Sequence, residues 1–142
     1  MADAPVQERQ IRTHGMVMIG LLFVQYVLGM TSNLFVKFPD GGSEGQLWEF
    51  AWSQWPEAGH IVFGVLLLAG AVVLNVRAFR FRSRRWIITS LIGSVSILLA
   101  GACGALFIPS QIDAYSLVMA VAFLAAISAY AFGLYRGRSA RG

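Results

Sequence analysis

Charge is scarce in this chain. Only 13% of its 142 residues are Asp, Glu, Lys or Arg, about half the roughly 25% of a soluble domain. Four long stretches, about residues 13–36, 58–76, 86–108 and 114–135, contain none of these four residue types. Cysteine is reduced to Cys103 alone. That excludes an intrachain disulfide and a CxxC redox pair, and with them a quinone-coupled thiol oxidoreductase. A lone thiol in a Gly/Ala-rich segment is expected to be packing. Histidine is limited to His14 and His60. No nucleophile–base pair or metal-ligand set can be assembled, so no catalytic residue is assigned and an independent hydrolase or transferase is disfavoured. Nor is there length for a second domain.

What is present are four apolar segments. Each is about long enough to cross a hydrocarbon core of about 30 Å as a helix rising 1.5 Å per residue. The expected fold is all-α: an integral membrane four-helix bundle forming a single four-span domain. The first stretch is too long for a signal-peptide h-region and lacks a small-residue cleavage site, so it is expected to act as an uncleaved anchor. Residues 1–12 are polar and read as a mobile or interfacial arm.

The charges that remain are sorted by sign. Arg9 and Arg12 precede the first span; Arg77, Arg80, Arg82, Arg84 and Arg85 fill the connector between the second and third; Arg136, Arg138 and Arg141 form the tail. The other connectors hold Lys37 against Asp40, Glu44, Glu49, Glu57 and Asp113. The positive-inside rule then predicts both termini inside and the acidic connectors outside. The net charge of +4 sets topology against anionic lipid and requires no nucleic acid. A bacterial plasma membrane (cell inner membrane) is the expected location.

Leu47, Trp48, Ala51, Trp52 and Trp55 share one face of a short segment at residues 43–54. Tryptophan favours the headgroup region, which predicts a short outer interfacial helix, or alternatively a lid over a site between the spans. Pro56 suits the first turn of the second span. Trp86 marks the cytoplasmic entry of the third. Residues 109–113 are so few that the last two spans form an antiparallel hairpin, with Ser110 and Asp113 read as a capping box. Asn75 reads as a helix-end polar group. Small residues let backbones approach in lipid; Ser90, Gly93, Ser94, Gly101 and Gly104 in the third span, and Ser116, Ala120, Ala122, Ala126 and Ala129 in the fourth, are expected at helix interfaces.

The polar residues within the spans are the candidate site. Topology places His14 at the inner start of the first span and His60 at the outer start of the second, too far apart to ligate one ion together. Glu57 lies three residues before His60, on the same side of one helical turn. Asp113, Asn33 and Lys37 are expected at the same outer end, and Gln25 is expected to bond across helices. An outer cluster of Glu57, His60 and Asp113 would hold a cofactor or substrate, because ionisable groups near a bundle interior are costly. The plain structural reading is a carboxylate at a helix N-terminus, a cap, and an interfacial histidine.

The order Gln25, Val27-Leu28-Gly29, Ser32-Asn33, Pro39, an aromatic outer loop and then Glu57-Ala58-Gly59-His60 resembles the first half of a haem A synthase. That family builds each half from four membrane helices, and its second helix opens with Glu-x-x-His-Arg on the outer side. The resemblance covers about the first half of the chain. It implies a haem-handling protein with His60 as an axial ligand. Ile61 stands where the family has Arg, Asp113, Tyr115 and Ser116 occupy the end where a partner histidine is expected, and the outer-loop cysteine pair is missing. The chain also looks like uncharacterised small four-span bacterial membrane proteins. Three functions follow as expectations. The first is binding of haem or another hydrophobic ligand near the outer face through His60, with Glu57 and His14 as further candidate cofactor residues and a homodimer able to supply a second ligand. The second is a non-catalytic accessory subunit of a larger respiratory or transport complex. The third is a small transporter.

Overall fold

In lipid every backbone amide and carbonyl must be paired within the chain, so long apolar segments form helices. The computed structural model describes residues 4–39 and 41–135, and these are helical almost throughout. The helices are α1 (Ala4–Phe35), α2 (Glu44–Ser53), α3 (Trp55–Arg80), α4 (Arg84–Ser110) and α5 (Asp113–Tyr135). All except α2 are long and apolar enough to cross a membrane. Side by side they form a ring in which α1 touches α3 and α5, and α4 touches the same two. The tail arginines lie outside the described residues.

The helices outrun the apolar stretches. α1 starts at Ala4 rather than near residue 13, so most of the expected polar arm is helical. Glu8 on that extension pairs with Arg85 of α4 at 2.7 Å. Similarly, α3 continues to Arg80, and its last turn carries Arg77 and Arg80 where cations suit the helix dipole.

α2 begins with a capping box: Ser43 Oγ accepts from the Gln46 amide at 3.4 Å while Gln46 Oε1 accepts from the Ser43 amide at 2.8 Å. Its Leu47 and Ala51 pack on Ile108 near the end of α4, with Phe38, Trp48 and Ile61 around them. The expected face therefore divides: Leu47 and Ala51 are buried, Trp48 is half-buried, and Trp52 and Trp55 are exposed. Trp55 already belongs to α3, whose first turn contains Pro56.

Two local expectations are corrected. Ser110 is the last residue of α4 and its hydroxyl donates back to the Leu106 carbonyl at 2.6 Å, so it does not cap α5. Gln111 instead ends α4 in a left-handed conformation, φ 52°. Asn75 is no helix-end group: its Nδ2 donates across to Ser94 Oγ of α4 at 2.8 Å. Trp86 stands in the first turn of α4, at the entry of that helix, and is fully buried. It fits because α1 and α5 present glycines to it. A Cβ on Gly15 would lie 2.6 Å from Trp86 Cη2, and one on Gly133 would lie 3.0 Å from Trp86 Cζ3.

The core runs along the ring's axis through Ile11, Met18, Leu22, Leu67, Ala71, Leu74, Trp86, Ala126 and Tyr130. Most of the small residues of α4 and α5 serve this packing. Ser90, Gly93, Ala122, Ala126 and Ala129 are buried, and Gly104 faces Met119 across the hairpin. Gly101 and Ala120 remain exposed. Cys103 is buried.

Candidate functional site

Pro56 and Glu57 open α3, and the helix runs antiparallel to α1, so its first two turns lie against the last three turns of α1. That register brings together Gln25, Gly29 and Ser32 with Glu57 and His60. Glu57 is buried, and its carboxylate accepts a hydrogen bond from the Ser32 hydroxyl. Its place in the first turn of α3 also puts a negative charge at the positive end of the helix dipole.

One turn deeper, His60 and Gln25 clasp each other. His60 Nδ1 lies 3.3 Å from the Gln25 carbonyl oxygen. Gln25 Nε2 lies 3.3 Å from His60 Nε2 and donates to the His60 carbonyl at 3.0 Å. These partners fix one tautomer. A carbonyl only accepts, so Nδ1 carries the proton; Nε2 then accepts from the Gln25 amide. The imidazole lies over Gly29, where a Cβ would stand 2.8 Å from Cε1 and 3.1 Å from Nδ1. Glycine at 29 thus lets α1 and α3 close on the ring. Gly64 gives Gln25 similar room, since a Cβ there would sit 3.4 Å from Gln25 Nε2.

The remaining candidates are dispersed. Asn33 is exposed on α1, beside Ser32 in sequence but off the seam. Asp113 is exposed in the first turn of α5. His14 is half-buried on α1, eleven residues before Gln25, which is about 16 Å along the helix. Between the Gln25 level and Asn75 the interior is apolar, filled by Met18, Leu22, Leu67, Ala71 and Leu74.

Haem ligation can be tested against this geometry. An axial histidine offers iron a lone pair. Here Nδ1 is turned to a carbonyl and the Nε2 lone pair to an amide. Two cavities among the described residues lie at the ends of the bundle. One, of about 360 Å³, is lined by residues that include Phe38, Leu47, Pro109 and Gln111; the other, of about 200 Å³, by Gln7, Glu8, Ile11, Phe81 and Ser83. His60 lines neither. As placed, the residues do not fit an axial haem ligand. Among the described residues no three of His, Cys, Asp and Glu are grouped to hold a metal ion. No protein-family model, no curated protein and no solved structure matches the chain.

Helical spacing puts Ser32 on the face of Gln25, seven residues and two turns along α1, but spacing within one helix does not name its partner, Glu57, across the seam. Nearness to Arg77 in sequence makes Asn75 look like a wet helix end, and only the register of α3 against α4 shows Ser94 facing it.

Proposed function

We propose that the protein is a multi-pass protein of a bacterial plasma membrane, with both termini inside, that holds a hydrophobic ligand with a polar edge at the α2 end of the α1–α3 seam. The observation that carries this reading is the buried Glu57 carboxylate on Ser32, one turn from His60. An ionisable side chain inside an apolar span is expensive and is retained most often for a task. A carboxylate and a neutral imidazole in one seam suit the hydrogen-bonding edge of a ligand whose body lies in the acyl region. Haem, which the Glu-x-x-His resemblance implies, would require the His60 ring to leave its Gln25 contacts and turn Nε2 out of the seam.

The test uses the detergent-purified full chain. Absorption spectra, oxidised and reduced, are recorded beside mass spectrometry of its organic extract. The expected result is a co-purifying species retained by the unaltered protein and lost from His60→Ala and Glu57→Gln, both of which stay helical. A Soret band lost in His60→Ala would identify the ligand as haem. An extract identical in all three proteins would overturn the ligand reading.

A second reading is favoured by the pairing itself. Ser32–Glu57, Gln25–His60 and Asn75–Ser94 already engage one another across helices, as expected of clasps in a non-catalytic subunit of a larger membrane complex or a homodimer. In that case the same variants lower stability and leave bound species unchanged.

Topology rests on ten arginines on one side of the membrane. In a Cys103→Ala background, cysteine introduced at Ser43 should react with an impermeant thiol reagent in intact cells, and cysteine at Ser139 should not. The reverse pattern would refute the orientation.

A further inference from the structure

The turn joining α3 to α4 lies at the opposite end of the bundle from the seam. Its sequence, Arg77-Ala78-Phe79-Arg80-Phe81-Arg82-Ser83-Arg84-Arg85, alternates guanidinium groups with aromatic rings. The structure leaves Arg77, Arg80, Arg82 and Arg84 exposed, together with Arg9 on the adjoining end of α1. Glu8 is the only carboxylate among the described residues at this end, and Arg85 takes it. Among the described residues, five exposed cations therefore face no opposing charge. Phe79 is 54% exposed beside them. Arg82 holds the turn at φ 51°, a conformation that disfavours any side chain and would favour glycine.

We propose that this turn binds the headgroup of an anionic phospholipid. Four spanning helices end here, so the arginines stand at headgroup level. Guanidinium groups pair with phosphate through forked hydrogen bonds. Phe79 supplies apolar contact for the glycerol and upper acyl carbons, and the neighbouring cavity of about 200 Å³ has Ile11 and Phe81 in its wall. A lipid meets both demands at once; a free anion meets only the first. The proposal stands apart from the seam and survives whether or not a ligand binds there.

The experiment is a thermal-stability titration of the delipidated, detergent-purified full chain. The probes are phosphatidylglycerol, phosphatidylcholine and inorganic phosphate, with native mass spectrometry to count retained lipid. Phosphatidylglycerol is expected to raise the melting temperature and to remain bound, with phosphatidylcholine giving little shift. The R80Q/R82Q/R84Q variant, altered only at exposed positions, should bind phosphatidylglycerol at least about tenfold more weakly, since each near-surface cation contributes appreciably to attraction. In the unaltered chain the shift should shrink as salt rises from about 0.1 M to about 1 M, where screening shortens from about 10 Å to about 3 Å. Equal shifts with the two lipids, or an unchanged shift in the variant, would overturn the proposal. So would an equal shift with inorganic phosphate, which would mark a free-anion site.

Discussion

Replacing Trp86 with alanine is expected to destabilise the bundle by about 3–5 kcal/mol, the range for truncating a buried large aromatic side chain. The indole is fully buried where α1, α4 and α5 converge. What is lost is contact. Gly15 and Gly133 leave the ring space that no neighbouring side chain can refill, since neither has one. The resulting void lies between three helices and cannot close without moving their backbones. Denaturant titration in micelles, followed by circular dichroism, measures the loss. Trp52→Ala is the matched control, because Trp52 is 52% exposed, and it should change stability by well under 1 kcal/mol. Equal effects from the two substitutions would contradict the burial of Trp86.

The second large effect is expected at Gly93. Leucine there would drive a side chain into the ring and hydroxyl of Tyr130, which is itself fully buried. Overpacking of this kind costs about 1–3 kcal/mol and sometimes more. Here the upper end is expected, because the first added carbon already overlaps the ring. The α4–α5 hairpin is the most extensive helix pair of the fold, so separating it disturbs the whole ring. The diagnostic measurement is a double-mutant cycle. Gly93→Ala should cost clearly less in a Tyr130→Leu background than in the unaltered chain, with a coupling of at least about 0.5 kcal/mol, as for residues in contact. Additive effects would show that Gly93 and Tyr130 do not meet.

The α1–α3 seam explains why the two histidines differ although both sit in apolar helices. His60 faces a glycine and a glutamine on the antiparallel neighbour, so its ring can lie flat in the interface with both nitrogens engaged. His14 sits on the N-terminal half of α1, well removed from that pair. Sequence spacing brought Glu57 and His60 together because both lie on one helical turn, a relation fixed by the 3.6-residue period. It could not place Asp113. That residue starts α5, which touches α1 and α4 in the ring, whereas the seam belongs to α1 and α3.

The sequence by itself determined four helices long and apolar enough to cross a membrane, and the short helix before Pro56. Uncharged stretches of that length have no other way to satisfy their backbone in lipid. It also determined that Glu57 and His60 share a face, and that Ser32 shares one with Gln25, because both are relations within a single helix. Only the tertiary structure decided which helices adjoin and in what register. That choice made Ser32 the partner of Glu57, Gln25 the partner of both His60 nitrogens, and Ser94 the partner of Asn75. It also buried Trp86, in the first turn of α4, between α1 and α5. The reason is physical. A tryptophan's composition is equally suited to a headgroup layer and to a buried niche, and two glycines on other helices, far away in sequence, create the niche.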